Sequence, residues 1–313
     1  MPGVRLIFSR KGFDAAHGGV PSPIFPDGSY LSLPIPDVGG KISYRDLASK
    51  HHSLGALVAT LSRRRVRAGH RAHLDPDLDK GALRPRPPKW RPLFGQAGAA
   101  QAHLARAGVT VGDLFLFFGW FRQVEPAEDG WRYRRDAPDC HAIFGWLKVG
   151  EIWRVDGEPP KHLAWAAYHP HLNSRRARKH NTLYVAASEL GLPAAAKALR
   201  GGGVFPRLRE ELCLSAPGYS RSVWRLPPWF HPQAARKPLS YHEAPARWTM
   251  QRQHVLLRTT APGQEFVLDC RDYPEAAAWL SQLFAAHPMP ARELRADCAR
   301  DEHFRVDDEG GAG

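Results

Sequence analysis

The chain has 313 residues, 43% of them hydrophobic and 24% charged, which is enough apolar material to bury a sizeable core and excludes a disordered or fibrous class. Its longest strongly apolar run, Leu114 to Phe121, falls far short of the twenty or so residues that a membrane-spanning helix needs, and MPGVRLIFSRKGFD lacks the pattern of a secretory signal, so a cytoplasmic protein without a membrane is expected. A formal net charge of +13 favours a polyanionic partner, nucleotide or nucleic acid, and four cysteines without a CxxC pair encode neither a zinc ribbon nor a redox dithiol.

A short apolar strand, Val4 to Phe8, runs into a loop that carries Ser9, Arg10, Lys11, Gly12 and Asp14: a hydroxyl, two cations and a carboxylate at the rim of a sheet. Asp27-Gly28 then reads as a hairpin turn with positive φ, and the prolines from 21 to 36 confine the flanking strands to an edge. Ser43 is placed to cap a helix-like run from Tyr44 to Ala48. The proline-dense RPRPPKWRP, residues 84 to 92, reads as basic loop. QAGAAQAHLARAG predicts an alanine-rich helix ending on Gly108. The continuous Leu114 to Phe118 predicts a strand buried on both faces. A second is expected in Ala142 to Val155 with bends at Gly145 and Gly150, and a third at Thr182 to Val185. Glu265 to Asp269 closes the strands, and Ala276, Trp279, Leu280, Leu283 and Phe284 mark one apolar face of a final helix. These elements predict an α+β fold: one elaborated domain over residues 1–305 on a mixed, strongly bent sheet with flanking helices, and a disordered tail over 306–313.

Four stretches carry chemistry. In HLDPDLD, His73, Asp75, Asp77 and Asp79 alternate, so an extended segment would project them to one face. An EF-hand fails there, because the glycine falls late at Gly81 and Arg86 occupies the bidentate acid position. His73 and Asp75 would instead form the HxD of a facial iron triad completed by a distant histidine such as His141, His169 or His171, while a solvated turn is the plain alternative. In FGQAGAAQ, two glycines and the amides Gln96 and Gln101 open a helix where a phosphate or a base edge would fit, or where a small-residue face simply packs on a sheet. His169, His171, Arg176, Asn181 and neighbouring cations form a loop suited to phosphates, or only a solvated basic face. Trp120 and Trp146, on glycine-bearing apolar strands similar to part of PUA-like barrels, would stack on a base or fill a core. No GxxxxGK[ST] loop, zinc-deaminase signature, GxGxxG unit or GxSxG elbow is present, and the sequence leaves the cofactor unknown.

SRKGFD, GG, PSPIFPDG, LSLPIP, HLDPD and FGQAGAAQAHL, in that order, resemble the nucleotide modification associated domain 3 family. The resemblance implies modification or handling of nucleotides or bases in DNA. On that footing Ser9, Arg10, Lys11, Gln96 and Gln101 are expected to hold phosphate or base, and Asp14, His73, Asp75 and Asp77 to supply acid-base or metal chemistry. An iron(II)-dependent oxygenase built on the HxD site and a noncatalytic PUA-like reader of modified bases are the alternatives.

Overall fold

The computed structural model describes residues 3–49, 52–83, 85–155, 161–172, 179–192, 199–232, 236–260 and 265–285. Arg176 and the 306–313 tail lie outside them. In chain order the strands are β1 (Arg5–Arg10), β2 (Ser22–Ile24), β3 (Ile42–Ser43), β4 (Arg71–Ala72), β5 (Leu93–Gln96), β6 (Leu114–Ala127), β7 (Gly130–Tyr133), β8 (Cys140–Arg154), β9 (Thr182–Ala186), β10 (Gly202–Val204), β11 (Val223–Leu226), β12 (Trp248–Met250), β13 (Val255–Arg258) and β14 (Glu265–Asp269). The α-helices are α1 (Leu54–Leu61), α2 (Gly98–Arg106) and α3 (Glu275–Ala285).

The run LFLFF forms the inner end of β6, buried on both faces and flanked by β1 in parallel and β8 in antiparallel. The main sheet has the order β14-β1-β6-β8-β9-β5, with β2 and β7 added on β6 and β10 on β8. It is mixed, as expected. Gly145 and Gly150 both stand at register shifts of β8. At Gly150 a Cβ would lie 2.6 Å from the backbone of Ala187, so a side chain is barred where the strand bends. Bending brings the two ends of the strand order together, since Gln96 on β5 donates its Nε2 to Glu265 Oε1 on β14. That junction is made by side chains and not by a backbone ladder. The expected barrel element is therefore corrected to an open, curled sheet, with no closed barrel among the described residues.

Phe94, Phe115, Phe117 and Tyr184 fill the inside of the curl, with ring centroids 5.1 to 5.9 Å apart. On the other face of β1, Phe8 packs on Trp224, Phe230 and Trp279, which joins the small sheet β11-β13-β12 and helix α3 to the same core. α3 buries Ala276, Leu280, Leu283 and Phe284 as its spacing predicts. The Asp27-Gly28 turn forms with Gly28 at φ +81° and an Ile24–Tyr30 bridge. Tyr44 to Asp46 is only a single 3-10 turn: the Asp46 carboxylate accepts from the Ser43 backbone and hydroxyl, and Leu47 is already extended. α1 follows, a helix not anticipated from the pattern. No helix of the described residues is long and apolar enough to cross a membrane.

Candidate metal centre

Three segments distant in sequence meet beside β5. Strand β5 is held on one side by β9 and on the other by a bridge in which Asp77 and Leu93 exchange both backbone bonds. Asp75, two residues before that bridge, points its carboxylate back at the strand and accepts the Gly95 N–H on Oδ1 at 2.7 Å. His169 Nε2 faces the same oxygen at 3.3 Å. The other oxygen, Oδ2, stands 3.8 Å from His73 Nε2 and 3.8 Å from His171 Nε2. His73, Asp75 and His171 thus offer three ligand atoms within 4.8 Å of one another.

The far nitrogens of both imidazoles are tied down. His73 Nδ1 lies 3.0 Å from Asp37 Oδ2, and His171 Nδ1 lies 2.7 Å from Asn181 Oδ1, whose Nδ2 in turn donates to the His171 carbonyl. An imidazole that donates Nδ1–H presents the Nε2 lone pair, which is how metal-binding histidines are oriented. Two such lone pairs aimed at one carboxylate oxygen repel each other unless a cation or protons lie between them. Burial works against charge on Asp75, but the contact with His169 and, when the rings are protonated, the charges of His169, His171 and His73 outweigh it and hold the carboxyl well below its ordinary range. The side chains of Asp75, His169 and His171 are almost wholly enclosed, whereas that of His73 is 15% exposed, so the centre opens to solvent at His73.

Gly95 makes this packing possible. A Cβ there would stand 2.3 Å from His171 Cγ and would drive the ring off the shared oxygen. Gly95→Ala is expected to lower metal affinity at least as much as loss of an orienting contact, about 10–100-fold, as read by metal titration calorimetry.

The alternation expected of HLDPDLD holds for His73 and Asp75 and ends there, because the chain turns at Pro76. The fully buried Asp77 takes a bidentate pair from Arg86 at 2.6 and 2.7 Å, with the Tyr168 hydroxyl at 2.6 Å and Trp90 Nε1 at 3.1 Å. Its oxygens are thus committed to fastening the loop. Asp79 caps the Gly81 N–H.

The helix-opening phosphate site is corrected too. Gln96 belongs to β5 and not to the first turn, and the Gly98 N–H is donated to the Lys179 carbonyl. Gln96 and Gln101 turn inward, Gln96 to Glu265 and Gln101 to the Tyr184 hydroxyl at 3.0 Å. Lys11 is 3.1 Å from Glu265 Oε1 and lies over the Phe94 ring, and the buried Ser9 is the register partner of Glu265. Burial raises the Glu265 carboxyl above its ordinary range, and Lys11, Ser9 and Gln96 counter this in part. Ser9, Lys11, Gln96 and Glu265 are therefore an internal polar knot. Trp146 is core, 1% exposed against Phe205 and Phe284, with Nε1 on the Arg200 carbonyl.

Arg10, Asp14 and Trp120 are not among the groups around Asp75. They line a separate recess with His141. His141 is 7% exposed and accepts from Trp224 Nε1. Burial, followed by the charges of Arg221 and Arg10, lowers its pKa from 6.5 to about 3. The unfolded chain therefore takes up a proton near pH 6.5 that the folded one refuses until about pH 3. His141 should make stability fall by about 1.4 kcal/mol per pH unit as pH drops through that window. Urea unfolding across pH checks this, with His141→Gln expected to show the shallower acid limb.

Asp37 and Glu265 were missed in sequence. Asp37 sits in a Pro-Asp turn and Glu265 heads an apolar strand, and neither local pattern names a partner.

The fold and the site together define an α+β protein with a candidate metal centre of two histidines and one carboxylate. The model of the family described as nucleotide modification associated domain 3 matches residues 5–269, and the chain belongs to that family. Its association is with nucleotide modification. No curated protein and no solved structure matches the chain.

Proposed function

We propose that the chain is a metal-dependent enzyme that modifies nucleotides or DNA bases, with His73, Asp75 and His171 as ligands and His169, Asp37 and Asn181 orienting them. The observation that carries this reading is the convergence of two oriented Nε2 atoms on one Asp75 oxygen, each at 3.8 Å, a little wider than the roughly 3.0–3.4 Å between ligand atoms that share an ion at about 2.0–2.2 Å, so a small inward shift of the rings would close the set on a cation. A divalent transition metal held there would supply Lewis-acid or redox chemistry at a neutral pH. The chain's own part is to keep both imidazoles in the ligating tautomer, to leave the remaining metal positions open on the His73 side, and to exclude bulk water elsewhere. Family membership and the net charge of +13 support a nucleotide or nucleic acid as the substrate.

Elemental analysis and anaerobic titration with iron(II), manganese(II) and zinc(II) test the centre. One ion per chain is expected, lost in His73→Ala. A wild-type protein that neither carries nor binds any of the three would overturn the reading. Two histidines and a carboxylate favour iron(II) and an oxygenase. Oxygen uptake that requires both iron(II) and a deoxynucleotide would support that form, and metal-dependent turnover with zinc and no oxygen uptake would replace it by hydrolytic chemistry.

A further inference from the structure

The recess that collects Arg10, Asp14, Trp120, His141 and Arg221 encloses about 190 Å³ on the far side of β1 from the Ser9–Glu265 knot. That side follows from strand alternation, since Arg10 shares a face with Phe8 and Ser9 does not. Arg10 is half-buried, and among the described residues no hydrogen-bond acceptor or carboxylate pairs its guanidinium. Arg221 lies 4.4 Å over the Trp120 ring and, among the described residues, its one carboxylate is Asp139, at 3.6 Å, which it shares with Arg122 at 3.7 Å. Asp14 brings one carboxylate to the recess, its Oδ1 accepting the Ala16 and His17 N–H groups of its own turn, and the two guanidiniums outnumber it.

The neutral groups have the same polarity. Trp224 Nε1 donates to His141 Nδ1 at 3.1 Å, so the neutral ring carries its proton on Nε2 and offers a donor to the recess it lines. Trp120 Nε1 is buried with no acceptor. A hollow with two incompletely paired guanidiniums, an imidazole N–H and an orphan indole N–H asks for a ligand that is all acceptor and doubly negative. A tetrahedral oxyanion, with a double charge and several acceptor oxygens, suits this donor set, whereas a flat carboxylate has only two oxygens to share.

We propose that Arg10, His141, Arg221 and Trp120 form a binding pocket for the terminal phosphate monoester of a nucleotide. The nucleotide class rests on the reading above, but the pocket does not use the metal centre.

Calorimetry on the full chain, stripped of metal with EDTA, tests it with inorganic phosphate, a deoxynucleoside 5′-monophosphate, the matching nucleoside and an unphosphorylated dinucleotide. The monophosphate should bind at least tenfold tighter than the nucleoside, and inorganic phosphate should compete with it. Arg10→Ala and Arg221→Ala should each cost tenfold or more. Arg10→Gln, which keeps the volume, serves if the alanine variant fails to fold. Equal binding of nucleoside and monophosphate, or unchanged binding in a folded Arg10 variant, would overturn the pocket. So would a dinucleotide that binds tighter than the monophosphate, which would mark an internal phosphodiester. Because the protein is metal-free throughout, failure here leaves the metal reading untouched, and failure of the metal reading leaves this result standing.

Discussion

Asp75→Asn is expected to weaken divalent-metal binding by roughly 100-fold or more while leaving the fold in place. The substituted amide keeps an oxygen that can accept the Gly95 N–H, so the contact that seats the loop on β5 survives. What disappears is the negative charge at the point where His73 and His171 converge. Melting with and without metal reads this directly. At a free metal concentration about 100-fold above its Kd, the wild-type chain should gain about 2.7 kcal/mol, and the variant should gain almost nothing. Equal stabilisation of both proteins would place the ion elsewhere.

Arg86→Met should destabilise the protein by about 3–5 kcal/mol, the range for stripping one partner from a buried ion pair. Asp77 has no exposure, and its two oxygens lose both guanidinium bonds, leaving Tyr168 and Trp90 to satisfy a charge they cannot neutralise. Arg86 also bonds the carbonyls of Lys80 and Asp79, so the whole 77–86 loop loosens with it. Asp77 is bridged to β5 only two residues beyond Asp75, and metal affinity should therefore fall together with stability. Urea unfolding measures the first effect and metal titration the second. The double variant Arg86→Met, Asp77→Leu should recover part of the stability, because it removes the unpaired charge rather than exposing it.

These two carboxylates differ in how far sequence alone could read them. The HxD spacing of His73 and Asp75 is local and chemically specific, and it named two of the three residues of the candidate centre. Asp77 looked equivalent, being one more acid in an alternating run, and only the approach of Arg86 and Tyr168 showed it to be a fastening. His171 was one of three histidines that would serve. His141 went to the other recess, where Trp224 holds it, and His169 became the group that orients Asp75. Gln96 and Lys11 were read as phosphate contacts because a cation or amide near glycine suggests one, yet both face the same internal glutamate.

What consecutive residues could decide was the secondary structure of the central strands and of helices α2 and α3, while α1 escaped them. Burial on two faces is written directly in LFLFF, burial on one face in the spacing of α3, and the bends of β8 in Gly145 and Gly150. What they could not decide was which distant side chains would meet. That depends on the accumulated twist and bulging of the sheet, which carries β5 round until Gln96 touches β14 and leaves Gly95 facing Asp75 and His171. Curvature is a sum over many strands, so no single stretch of the chain encodes it, and the candidate metal centre exists only once that sum has been taken.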